Sequence, residues 1–230
     1  MKELLQDSLF FGVGISVGTY LLGTLVKKKW NFFLFNPLLL SITATIATLL
    51  IIGIDYNRYN EGAKYLSYLL TPATVALAIP LYEQTMLLRK NFTAIMVGIA
   101  SGVLMSFISI FAMALLFGLG HTEYVTLLPK SITTAIGISL SQELQGYVAI
   151  TVTAITMTGL LGNIAGGVIC HILRIKHPIA KGIAIGTASH VMGTAKAMEI
   201  GEIEGAMSSL SIAVAGCMTV GAAIFFEGLI

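Results

Sequence analysis

Charge is what this sequence has least of. Only 10% of its 230 residues are Asp, Glu, Lys or Arg, against about 25% in ordinary globular domains. With 56% hydrophobic residues and a mean hydropathy of +0.90, this scarcity excludes an ordinary soluble domain and leaves an integral membrane protein. The net charge of only +2, without a basic tract or RNA-binding motif, argues against a nucleic-acid partner. Cysteine is nearly absent as well. Cys170 and Cys217 both lie in apolar segments and read as small buried hydrophobes rather than a disulfide pair. Cys170-His171 with His177 lacks structural-zinc spacing and a fourth ligand, so no metal site is assigned. The chain has no P-loop, which argues against ATP-driven transport by this chain alone, and no G-x-S-x-G elbow. Ser189 and His190 are only sequence neighbours, so no catalytic residue and no cofactor is assigned. The N-terminus, MKELLQDSLFFGVG, lacks the basic n-region and cleavage site of a signal peptide, and the first apolar segment is expected to be retained.

What is present is a series of apolar segments. The first span is predicted at about Leu4–Val26, long enough for a bilayer, with Gly12, Gly14, Gly18 and Gly23 available for close helix packing. Lys27, Lys28, Lys29 and Trp30 then mark a cytoplasmic boundary, which puts the N-terminus outside. A second span is expected at about Phe33–Ile54, with Ser41, Thr43, Thr45 and Thr48 as interhelical hydrogen-bonding groups. Asp55–Lys64 reads as an external polar loop, and a third span follows at about Tyr65–Tyr82, ending before the basic Arg89-Lys90. The fourth, about Phe92–Leu119, carries Gly98 and Gly102 as a packing pair, and His121 and Glu123 follow as solvated loop residues. Later spans are predicted at about Tyr147–Leu173 and Met207–Ile230.

The region between them does not fit plain spans. Leu127–Glu143, LLPKSITTAIGISLSQE, holds a proline, a lysine and five hydroxyl residues within apolar surroundings. A lysine at mid-bilayer depth costs about 2.5–3.5 kcal/mol on insertion scales, so its retention points to a use. Pro129 removes a backbone donor and Gly137 weakens the helix. The segment Pro72 to Leu81 repeats the form of Pro129 to Ile138: five residues separate a proline from Ala-Ile, then a helix breaker (Pro80 or Gly137) and an aliphatic residue follow. Paired interrupted segments of this kind are a pointer to a transporter binding site. Counting sides gives the same answer. If 127–141 crossed fully, the most basic loop, with Arg174, Lys176, His177 and Lys181, would fall outside, against the positive-inside rule. A segment that dips in and returns restores the rule, and irregular backbone is tolerated at that depth where protein or a water-filled cavity covers it. Ile179–Glu199 is the other rich stretch. Gly182, Gly186 and Gly193 are spaced like breakers, His190 lies among small and hydroxyl residues, and Lys196 can pair with Glu199 one turn on. It reads as a half-penetrating or broken helix. The fold class is therefore all-α: a polytopic helical membrane protein, residues 1–230 as one membrane domain, with re-entrant helices and internal repeats.

Asn36-Pro37, PATVALAIPLY at 72–82, PKSITTAI at 129–136, TGLLGN at 158–163 and GTASHVMGTAKAME at 186–199 occur in an order that resembles the LrgB/CidB family of bacterial membrane proteins over essentially the whole chain. The departure is Ala135, where many members carry a second proline; Pro129 and Gly137 remain as breakers. The resemblance implies an antiholin-like protein of the bacterial cell membrane, linked to murein hydrolase activity and lysis with a small LrgA/CidA-type partner. Through other relatives it implies transport of small monocarboxylates such as pyruvate, glycolate or glycerate.

A short carboxylate needs a cation or oriented N–H groups in a shielded cavity, and the N-termini of broken helices supply the latter. Lys130, Ser131, Thr133 and Thr134 are the candidate binding group, with Asn163, His190 and Thr194 as further polar lining. The alternative for Lys130 is snorkelling to the interface; for Asn163 and Thr194 it is packing. His190 is either a proton-coupling group or a histidine hydrogen-bonded within the bundle. Pro72, Pro80, Pro129, Gly137, Gly186 and Gly193 are the expected helix breaks. Small-residue faces make a homodimer the expected assembly.

Overall fold

The computed structural model describes residues 10–30, 35–76 and 78–230. It is all-α, and its helices follow in order as α1 (Phe10–Lys29), α2 (Pro37–Ile52), α3 (Tyr56–Ser67), α4 (Leu70–Ala76), α5 (Ala78–Glu83), α6 (Thr85–Lys90), α7 (Phe92–Phe117), α8 (His121–Leu127), α9 (Thr134–Glu143), α10 (Val148–Ile172), α11 (Pro178–Ile200) and α12 (Glu202–Phe226), with a final 3-10 turn at Glu227–Leu229. The contacts divide the chain into two compact units, Met1–Ala76 and Leu77–Ile230. All five prolines stand at helix starts or in turns: Pro37 and Pro178 open α2 and α11, Pro72 and Pro80 lie in the first turns of α4 and α5, and Pro129 precedes α9. These are the places where a missing N–H leaves no helical bond unmade.

In the first unit, Asn36 caps α2, its Oδ1 accepting from Leu38 N at 2.9 Å and Leu39 N at 3.3 Å. Left-handed Gly53 closes the helix. α1 packs antiparallel to α2 because Gly23 lets the Pro37 backbone approach and Thr19 Oγ1 lies 3.0 Å from the hydroxyls of both Ser41 and Thr45. Thr43 and Thr48 instead donate to their own helix, at Leu39 O and Ala44 O. The loop expected at Asp55–Lys64 is a helix. Asp55 caps it at Asn57 N, 2.9 Å, and Gly12 of α1 makes room for it beside Tyr59, whose hydroxyl is 2.7 Å from Ser16 Oγ. Its polar face misled the reading; capping and the Gly12 contact hold it helical. The third span expected at Tyr65–Tyr82 is divided into short helices. Leu77, between α4 and α5, lies outside the described residues, as do Leu4–Leu9 of the first expected span.

The second unit contains three helices long and apolar enough to cross a membrane, α7, α10 and α12. A buried stripe on α7 (Ile95, Ile99, Val103, Phe107, Ile110, Ala114) packs in one core with Ile179, Ile183, Ala206 and Met207. Between the spans lie two hairpins. α8 and α9 have 7 and 10 residues, about 10 and 15 Å at 1.5 Å per residue, too short to cross. The two ends of the segment 127–146 meet: Tyr147 N donates to Thr126 Oγ1 at 2.8 Å, Thr151 Oγ1 donates to Thr126 O at 2.9 Å, and Ser141 Oγ is 2.7 Å from Thr151 Oγ1. Residues 127–146 thus enter and return at one end of the bundle.

α11 is the second hairpin. His190 has φ 44° and ψ −140°, and the chain folds back there. A side-chain carbon at Gly193 would come within 3.0 Å of Ile185, eight residues away, whereas a straight helix would separate them by about 12 Å. Ile185 and Ala197 accordingly share a small core with Cys170. The breaks expected at Gly186 and Gly193 are corrected by this geometry: both are helical, and the reversal is at His190. Gly186 lets α12 approach at Ser208, and Gly193 accommodates Ser189 from the other limb. Likewise Gly137 is buried within α9 against Ile155, while the interruption lies in the turn around Pro129. Cys217 is exposed rather than buried; Cys170 is buried.

The two hairpins enter from opposite ends. Gly98 and Gly102 of α7 meet Ile183 and Thr187 in parallel register, and Gly166, Gly162 and Gly159 of α10 meet Ile185, Ser189 and His190 in antiparallel register. A span followed by a hairpin therefore occurs twice, inverted, as α7 with 127–146 and α10 with α11. The end where α11 enters carries Arg89, Lys90, Arg174, Lys176, Lys181 and Lys196; among the described residues of this unit, the other end carries no lysine or arginine apart from Lys130 on its hairpin tip. The positive-inside conflict disappears with the re-entrant segments.

Candidate functional site

The two hairpin tips converge on a cavity of about 1280 Å³. Its walls come from α7, α10 and the first limb of α11. It runs from Asn91, His177 and Ile179 at the basic end to Lys130 and Ser131 on one tip and Ala188 and Ser189 on the other. Most of the lining is small or apolar; Ser101, Ser106, Ser109 and Thr158 add hydroxyls.

The first tip is a set of turns. Lys130 N donates to Leu127 O at 3.1 Å and Ile132 N to Pro129 O at 3.3 Å, with Pro129 fully buried beneath. This backbone presents Lys130, half-buried, to the cavity. Its ammonium donates to Ser131 Oγ at 3.1 Å, and that oxygen is 3.5 Å from Ser106 Oγ. Lys130 has no ion pair among the described residues. Thr133 is the N-cap of α9 without a side-chain cap bond, and Thr134 is exposed at its first position. Neither lines the cavity.

The second tip is held by packing. A side-chain carbon at Gly162 would overlap the Ser189 hydroxyl, and one at Gly159 would lie 2.7 Å from His190 Nε2. The TGLLGN run is therefore a notch into which Ser189 and His190 fit. His190 is buried, with Nε2 3.0 Å from Ile155 O; since a carbonyl only accepts, Nε2 carries the proton. Asn163 Nδ2 donates to Met192 O at 2.6 Å, and Thr194 Oγ1 donates to His190 O at 2.9 Å while lying 2.7 Å from Ser208 Oγ. Asn163, His190 and Thr194 thus brace the tip, and none of them lines the cavity. Of the seven expected binding residues, the structure brings Lys130 and Ser131 to it.

Of the cavity hydroxyls, sequence reasoning passed over Ser106 and Ser109 and weighed Ser189 only as a nucleophile. The signal for Ser106 and Ser109 was faint, because serines on an apolar helix usually bond to their own backbone, as Ser109 does at Ser106 O, 2.8 Å. It also missed the burial of Glu204, 7% exposed, whose carboxylate stands 3.9 Å from Lys181 Nζ. Lys196 and Glu199 do pair, at 2.8 Å. Among the residues whose side chains are described, none of α5 lines the cavity.

Spanning helices with two opposed re-entrant hairpins define a multi-pass membrane protein whose cavity is built from broken backbone. Within that class, the chain belongs to the LrgB-like family, whose model matches residues 16–228. It is similar to proteins called antiholin-like protein LrgB from Bacillus cereus and Bacillus anthracis, each 39% identical over 212 residues, 92% of this chain and 92% of the relative. No solved structure matches.

Proposed function

We propose that this chain is a secondary carrier or facilitator for a small monocarboxylate of the pyruvate, glycolate or glycerate type, in the bacterial cell membrane with its basic end in the cytoplasm. The observation that carries this reading is a half-buried lysine without an ion pair among the described residues, set at a hairpin tip at the inner end of a cavity. Keeping an unneutralised ammonium there is unfavourable, and a bound carboxylate would offset that. Ser131 and Ser106 supply hydroxyl donors beside it, and Ser189 lines the same cavity from the opposite tip. Rearrangement of the two inverted hairpins would change the side to which the anion is exposed. His190 would take part in proton coupling only by leaving its contact with Ile155. The assembly proposed is a homodimer.

A second reading has its own support. The relatives are named antiholin-like proteins, and that name favours a regulator of murein hydrolase activity and lysis, acting with a small LrgA/CidA-type membrane partner, more directly than it favours a carrier. The two are compatible if carboxylate flux alters lysis. Uptake of labelled pyruvate into liposomes holding the purified chain, with glycolate as competitor and a dye-leakage control, separates them. The carrier reading expects saturable, competed uptake without leakage. Absence of uptake by folded protein, both alone and with the partner added, would leave the regulator reading.

A further inference from the structure

A second cavity, of about 750 Å³, shares no lining residue with the first. It lies at the basic end, between the last turn of α10, the 173–177 loop and both feet of the α11 hairpin. His171, Arg174, Lys176 and Lys181 line it, with Gly167 and Ile200 as its apolar part. We propose that this cavity binds a phosphate-bearing anion, either the headgroup of an anionic lipid or a soluble phosphate compound.

A basic loop alone would satisfy the positive-inside rule and predict no cavity. Here the cations line one concave site at the end of a spanning helix, and basic pockets between membrane helices take anionic headgroups. Arg174 and Lys176 have no ion pair among the described residues, and Lys181 has only the 3.9 Å approach of Glu204. The backbone adds an independent argument. α10 ends with Ile175 N donating to Cys170 O at 2.8 Å and Arg174 N donating to His171 O at 3.0 Å, which puts Arg174 in the left-handed position with φ 54°. Glycine is the usual occupant of that place. An arginine there sacrifices backbone ease and gains a guanidinium, the side chain best shaped to hold phosphate oxygens in pairs. Because Lys181 and Ile200 belong to opposite limbs of the hairpin, an occupant would join the two feet to α10 and brace the tip above.

The same arginine makes the test clean. Arg174→Gly removes the guanidinium while relieving the left-handed backbone, so it should fold at least as well as the wild type. Thermal unfolding of the full chain in neutral detergent would be followed with added phosphatidylglycerol, phosphatidylcholine or inorganic phosphate. Phosphatidylglycerol or phosphate should raise the wild-type midpoint by roughly 5 °C at saturating concentration; phosphatidylcholine should not. The rise should vanish in Arg174→Gly and shrink in Lys176→Gln. A rise with phosphatidylglycerol alone assigns the site to lipid, and a rise with phosphate assigns it to soluble anions. No rise with either, or a full rise retained in Arg174→Gly, overturns the proposal.

Discussion

The two hairpin tips reach the same cavity by different means. The first is assembled from local chemistry: a buried proline, successive turns and a lysine whose ammonium rests on the neighbouring serine. The second has no proline at its tip and no charge. It reverses at one residue, His190, in backbone territory that costs roughly 1–3 kcal/mol for a non-glycine residue, and it keeps that reversal because α10 receives it in a glycine notch. One tip carries its shape in its own sequence; the other borrows its shape from a neighbour. The first is suited to holding a ligand group, the second to being held.

This contrast is open to attack by mutation. The largest effect is expected from the borrowed tip. Gly162→Ala would place a methyl on the Ser189 hydroxyl, so it should destabilise the chain by about 1–3 kcal/mol and reduce uptake at least tenfold; wild-type values for both would mean the notch is not what seats the tip. Lys130→Ala should separate the two quantities. Uptake should fall by roughly 10- to 100-fold, the equivalent of a hydrogen bond to a charged group, while the unfolding midpoint stays level or rises. Unchanged transport at normal expression would remove the role assigned to that lysine. His190 isolates strain: Gly and Ala replacements both lose the Ile155 contact, yet only Ala retains the disfavoured backbone, so His190→Ala should be the less stable by about 1–3 kcal/mol. Equal stabilities would show that the reversal is relaxed. The smallest effect belongs to Ser131→Ala, expected to raise KM about two- to fivefold with kcat unchanged, because the Lys130 ammonium that carries the charge remains.

The same asymmetry governs what could be read without coordinates. Lys130 beside Pro129 is an anomaly in apolar surroundings, and it pointed directly to a re-entrant segment at 127–141. His190 was singled out for its chemistry, while the break itself was assigned to Gly186 and Gly193. Glycine in a membrane helix has two uses, bending a chain and admitting a neighbour, and sequence alone does not distinguish them. Here Gly186 admits Ser208 and Gly193 admits Ser189. Asn163 and Thr194 were legible as polar lining or packing groups, but their partners, Met192 O and Ser208, lie far along the chain. The helix at Tyr56–Ser67 was hidden for a related reason. Its polar composition resembles a loop, and the contact that fixes it is with Gly12 of α1.

The shortness of α8 and α9 has a consequence for biogenesis. Segments of 7 and 10 residues are too brief for the insertion machinery to release as independent transmembrane helices. Their backbone can reach membrane depth only where other helices already shield it. The spans must therefore be laid down first, leaving an open bundle into which the 127–146 hairpin settles. A molecule that lodged between α7 and α10 during that interval would leave the protein fully inserted, correctly oriented and without a cavity. The seam that holds the cavity is thus the last part of the protein to close.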